Sequence, residues 1–336
     1  MYLLFPSLVS LCALVHVVSG DTELEQFENF IKQFKKVYES PEEYQYRLSV
    51  FTENLNAARR LQEEELGTAT YGITKFSDLT DEEFTRNRLT LLDDVPPNDV
   101  PPYNMTQLKI EAAPVKRSCD WRKAGVISKA KDQGTCGSCW AFAAVGNIEA
   151  QWGILGRPVN LSVQQVLDCS PFEDGCKGGY LWDAYKTVRK QNGLVPECVY
   201  PYKGIKQACQ KFNSLKTNIK GFRMLPRNEN VMACYVRNSG TIAVGMNAIV
   251  LKCYQRGVIR RKSCDRKKLN HAVVLMGFSK GTKLPYWIIK NSWGADWGER
   301  GFFRLFFGKN MCGIATYPVS AIVPGSQKKR IRCPRL

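Results

Sequence analysis

The amino-acid sequence predicts an α+β protein of two lobes, preceded by a separate helical segment. Three observations carry this expectation. Apolar residues recur at helical spacing through residues 24–65, and a second helical texture follows Trp121. From about residue 240 the chain turns to short apolar runs divided by turn residues. An α-rich half followed by a β-rich half favours two packed lobes with a site in the cleft between them. The chain has 336 residues, 44% of them hydrophobic, which is enough for a sizeable core.

The first twenty residues, "MYLLFPSLVSLCALVHVVSG", are apolar and uncharged, with Val18 and Gly20 at the −3 and −1 places. They read as a secretory signal peptide cut after Gly20. No later stretch approaches the roughly 18 uninterrupted apolar residues of a membrane span. Residues 21–112 then form an acidic helical segment. "FENFIKQF" and "YQYRLSVFTENLNAARRLQ" fit two amphipathic helices, and Thr80 with Glu83 resembles a capping box at a third helix start. "DDVPPNDVPPYN" marks an exposed linker at 93–104, because proline sustains neither helix nor central strand. Asn104 and Asn160 head Asn-x-Ser/Thr glycosylation sequons.

Residues 113–336 form the body, ending in a short basic tail. "CWAFAAVGNIEAQWGI" is apolar around most of its circumference, as a buried helix is. "LSVQQVLDC" starts another helix, with Ser162 and Gln165 at capping-box spacing. "GTIAVGMNAIV", "HAVVLMGFS", "PYWIIKNSWG" and "GFFRLFF" read as strands. Charge divides the chain. Residues 21–112 carry 10 Lys+Arg against 19 Asp+Glu, whereas residues 113–336 carry 38 against 12. Either the surface is unevenly decorated or an acidic segment lies on a basic body.

"DQGTCGSCWAF" holds two cysteines, Cys136 and Cys139, with three possible roles. A redox pair belongs in a small βαβ setting, and a zinc clip needs about four ligands, of which no second close pair exists here. The third role is one nucleophile beside one structural thiol. It requires a base, and once His16 leaves with the signal, His271 is the only imidazole left. His271 and Asn291 stand 132 and 152 residues downstream of Cys139. "CGSCW" with His and Asn at about that separation matches the signature of a papain-type nucleophile.

On these motifs, together with "GCKGG", "NHAV" and "KNSWGADWGERGFFRL", the chain resembles the papain-like cysteine proteases. Glu43, Arg47, Phe51, Asn54, Ala58 and Gln62 reproduce a prosegment pattern similar to that of the cathepsin F and W branch, and "SCDWRKAG" and "RIRCPRL" resemble its W side. The resemblance implies a papain-like two-lobe fold, α-rich left and β-barrel-like right, behind an inhibitory helical prosegment. It implies a secretory-pathway endopeptidase made as a zymogen, with no cofactor and no metal. Cys139 would be the nucleophile, His271 its acid-base partner, Asn291 the orienting group and Gln133 the oxyanion donor. Trp293 would shield the His–Asn hydrogen bond, and Gly178 with Gly179 would line the substrate strand.

Bridges implied by the resemblance are Cys136–Cys176, Cys169–Cys209 and Cys264–Cys312. Cys119 and Cys333 pair on position alone, and Cys198, Cys234 and Cys253 have no assigned partner. Expected partners are peptide substrates, the chain's own prosegment, cystatin-type inhibitors and sulfated glycans. The last follow from Arg260, Arg261, Lys262, Arg266, Lys267 and Lys268 just ahead of His271, which a plain solvated loop would equally explain. No nucleic-acid reader motif is present. Lysosome or endosome, secretion and retention in the endoplasmic reticulum all fit. A second reading is a catalytically weak papain-like protein that binds polyanions through its basic surface.

Overall fold

The structure, a computed structural model, describes residues 22–90, 118–172, 174–325 and 331–336. The expected signal peptide, the linker with Asn104 and the cleavage region around Ala113 lie outside the described residues.

Helix α1 (Glu23–Phe34) starts at a reciprocal box between Thr22 and Glu25, and α2 (Pro41–Glu63) starts at Ser40 with proline in its first turn. Phe27, Phe30, Phe51 and Leu55 pack between them as a small core. The remaining pattern residues hold the chain that follows α2. Arg47 donates to the Asp78 carbonyl at 3.0 Å and pairs with Glu83 at 2.7 Å. Asn54 Nδ2 donates to the Ser77 and Leu79 carbonyls, and Gln62 bonds Ala69 and Tyr71. That returning chain forms strand β1 (Thr70–Tyr71) and helix α3 (Asp81–Arg88), whose capping box is Thr80–Glu83.

The body runs β2 (Cys119–Asp120), α4 (Cys139–Ile154), α5 (Val163–Cys169), α6 (Leu181–Lys190), β3 (Gly221–Met224), α7 (Glu229–Asn238), β4 (Ile242–Met246), β5 (Tyr254–Arg256), β6 (Val258–Ile259), β7 (His271–Ser279), β8 (Tyr286–Lys290), β9 (Phe302–Phe306) and β10 (Val319–Ile322). One cluster of buried side chains surrounds α4, α5 and α6; the other surrounds the sheet and takes in Phe76, Phe84 and Leu89 of the prosegment. Helix α4 is buried along its whole length and packs on β7, so the lobes meet where Cys139 and His271 begin their elements.

The sheet runs β3-β10-β4-β7-β8-β9-β6, with β2 beside β7. It stays open among the described residues. Its last strand, β6, has two residues, too short a ladder to close a barrel, and the adjacent β5 pairs with prosegment strand β1 instead. One smaller expectation changes: the Ser162 cap is one-sided, because the Gln165 side chain bonds Gly193 and Val195 rather than the cap.

Candidate active site

Cys139 is the first residue of α4 and is fully buried. Ser138, at the cap position, offers the helix its carbonyl but no side-chain cap: its hydroxyl meets Tyr202 Oη at 2.6 Å. The Cys139 and Trp140 N–H groups are left to the sulfur, which the positive end of the helix dipole faces. Even so, burial pushes the Cys139 thiol up to about 11, against backbone groups of Ala272, Thr90, Trp140 and Cys139 itself.

His271 opens β7 and is equally buried. Its Nε2 lies 2.7 Å from Asn291 Oδ1, which also accepts from the Ser292 N–H. Nδ1 has no partner among the described residues. Burial drives the imidazole down to about 4, although Asn291 and the Arg88 backbone raise it. Both groups are thus neutral here, a thiol and an imidazole.

Prosegment residues lie against both groups. The chain leaving α3 crosses the site, with the Arg88 backbone facing His271 and the Thr90 backbone facing Cys139. Gln133 Nε2 donates to the Arg88 carbonyl at 3.3 Å and to Cys136 at 3.1 Å. Ser292 Oγ donates to Gln133 Oε1 at 2.7 Å, which fixes the amide with its N–H groups toward the cleft. A Cβ on Gly137 would lie 1.6 Å from Thr90 Oγ1, so only glycine lets the segment pass this close.

Trp293 is fully buried, its ring 4.8 Å from the imidazole. Trp297, Phe76 and Phe84 meet it edge-on at 4.9, 5.4 and 5.4 Å. Two of those three rings come from the prosegment. Gly178 adopts φ 125°, and a Cβ on Gly179 would fall 2.5 Å from the Trp140 indole. Close packing on Trp140 is reason enough for the second glycine.

The structure joins Cys136 to Cys176, Cys169 to Cys209, Cys264 to Cys312 and Cys119 to Cys333. Cys198, Cys234 and Cys253 stand outside these bridges. Asn160 is exposed, while Ser162 of its sequon is buried and donates to the Tyr200 carbonyl.

Sequence reasoning missed Ser292, Tyr202 and Asp132. Tyr202 Oη links Ser138 to the Gln133 carbonyl at 2.8 Å. Asp132 accepts from Lys75 and Arg88 of the prosegment, each at 2.8 Å. Burial alone would raise the Asp132 carboxyl, but the Lys75 hydrogen bond, the Arg88 charge and the Gly134 N–H together hold it below the usual carboxylate range. Asp132 and Ser292 were signalled only by adjacency to Gln133 and Asn291, and Tyr202 carried no signal.

With this geometry in view, the chain belongs to the papain family of cysteine proteases: the family described as papain family cysteine protease matches residues 115–322, and the cathepsin propeptide inhibitor domain matches residues 27–84. Its similarities point to the cathepsin F and W branch. It is 44% identical to cathepsin W of Mus musculus, covering 92% of this chain and 90% of that protein, and 40% identical to cathepsin F of the same species, covering 88% and 64%. Among solved structures it is similar to procathepsin L2 from Tenebrio molitor larval midgut, with TM-score 0.83, 31% identity, and 90% of this chain and 100% of that one covered. A recombinant stem bromelain precursor matches with TM-score 0.80 at 31% identity, covering 91% and 100%. The protein is a cysteine peptidase zymogen that carries its own propeptide domain.

Proposed function

We propose that this zymogen matures into a secretory-pathway endopeptidase that works through Cys139, His271, Asn291 and Gln133. The observation that carries the reading is one prosegment stretch, Arg88–Thr90, lying over Cys139, His271 and the Gln133 amide together. A segment that covers nucleophile, base and amide donor at once occupies the place of a substrate backbone. When it leaves, water returns, the desolvation penalty falls, and the proton moves from sulfur to imidazole. The thiolate attacks the scissile carbonyl, Gln133 Nε2 and the Cys139 N–H receive the oxyanion, and His271 protonates the departing amine. Water, activated by the imidazole, then releases the acyl group. Asn291 holds the ring through Nε2, leaving Nδ1 for the sulfur.

Entry through a signal peptide ending at Gly20, residues 21–112 as the removable segment and a mature start near Ala113 complete the reading, with lysosomal, endosomal or secreted placement. Four disulfides support an oxidising compartment. The test is turnover of a fluorogenic dipeptide amide by protein matured in acid. Activity that disappears in Cys139→Ala is expected; no turnover by correctly shortened wild-type protein would sink the reading.

A further inference from the structure

The face that receives α2 is built from cations, and the prosegment supplies the anions. Lys252 is 3% exposed. Its ammonium donates to Asn54 Oδ1 at 2.7 Å and Asp81 Oδ1 at 2.9 Å, both prosegment atoms. Arg261 is 9% exposed and donates to the Leu61 carbonyl and the Glu64 carboxylate. Asn54 and Glu64 stand ten residues apart on α2, so the two cations lie about 15 Å apart beneath it. Between helix and body remains a cavity of about 250 Å³, lined by Asn54, Leu61, Glu64, Asp81 and Lys252 among others. The track continues past Arg261 into the bridged loop at Cys264, where Lys262, Arg266, Lys267 and Lys268 are exposed. Asp265, the one carboxylate in that loop, is already satisfied by the Lys267 and Lys268 N–H groups.

We propose that removal of the prosegment uncovers a continuous basic track, from Lys252 through Arg261 to Lys268, that binds a sulfated polysaccharide. Prosegment and polysaccharide then exclude one another, since Glu64 and Asp81 occupy the cations the sulfates would take. A track that runs past two separate carboxylate positions suits a linear chain of repeated anions better than a single small one. The disulfides place it in an oxidising compartment, and "KSCDRKK" offers no aromatic ring on which a nucleic-acid base could stack. The inference rests on maturation removing α2, and it does not depend on which residues do the chemistry.

The test measures binding of a heparin oligosaccharide at physiological salt to two forms: the Cys139→Ala precursor, and mature enzyme alkylated after maturation. Mature protein is expected to bind about tenfold more tightly, from two added cations. Lys252→Gln with Arg261→Gln should bring mature protein down to the precursor's affinity while leaving its peptide turnover unchanged. Equal affinity of the two forms, or a gap that the double variant leaves undiminished, overturns the proposal. Lys267→Ala with Lys268→Ala, which touch no prosegment atom, should weaken both forms by the same factor; no effect there overturns it too. An unsulfated hyaluronan oligosaccharide should bind far less, and tighter binding of a single-stranded oligonucleotide would show that the partner class is wrong.

Discussion

Cys139 and His271 lie fully buried beneath Arg88–Thr90, and burial penalises whichever of their forms carries charge. A thiol pushed up to about 11 beside an imidazole pushed down to about 4 is a pair that holds its proton on sulfur across the whole physiological range. Undocking moves that proton to nitrogen without net uptake or release wherever both states hold a single proton, and within that range the switch is itself insensitive to pH. The prosegment therefore holds the proposed nucleophile uncharged as well as covering it. Iodoacetamide should alkylate Cys139 in the precursor only with a rate that climbs toward pH 11, whereas mature enzyme should react readily in mild acid. Coincident pH–rate profiles, followed by mass spectrometry of the Cys139 peptide, would contradict the neutral pair. Gln133→Ala removes a donor held by Ser292 at 2.7 Å and should lower kcat of the mature enzyme by about 10²–10³, with KM little changed.

Among the elements, α3 is seated on the body through the Trp293 ring. Phe84 is fully buried and meets that ring edge-on, as Phe76 does from the turn before α3. Truncating a buried phenylalanine costs about 3–5 kcal/mol. Phe84→Ala should thus loosen α3 and let the precursor shorten itself at pH 7, where the wild type persists; gel analysis of the time course decides it. These contacts also show where the sequence was readable. The amphipathic α2 and the wholly apolar α4 could be read, and one rare residue type left His271 as the single candidate base. Strand β1 could not, since two residues carry no period and its partner β5 lies some 180 residues on. Ser292, Tyr202 and Asp132 belong to residue types used everywhere in proteins, and only the folded geometry gives them a task. Helix α7, which ends just ahead of the β-rich run, was not read from the sequence.

Across the whole molecule, an acidic segment on a basic body suggests that acid weakens docking, yet the ion pairs that cross the interface run both ways. Arg261 and Lys252 of the body take Glu64 and Asp81 of the prosegment. At the cleft the signs reverse, with prosegment Lys75 on Asp132 and Asp296 and prosegment Arg88 on Asp132. Asp132 is held below the ordinary carboxylate range, so its share of docking is fully present above that range and is lost only as pH falls through its own lower value. At pH 4.5 it is still charged. Any weakening of docking between pH 7 and pH 4.5 therefore does not run through Asp132. Purified precursor should shorten faster at pH 4.5 than at pH 7, and equal rates would remove the electrostatic account. Asp132→Asn keeps an oxygen for the Gly134 N–H and loses both ion pairs, each worth about 0.2–1 kcal/mol at this exposure. Because Asp132 is charged at both pH values, the variant should speed shortening by a similar factor, about threefold to tenfold, at pH 7 and at pH 4.5. An Asp132→Asn precursor as slow as wild type at pH 7 would mean that the rings around Trp293, and not the charges at the cleft, set the rate of release.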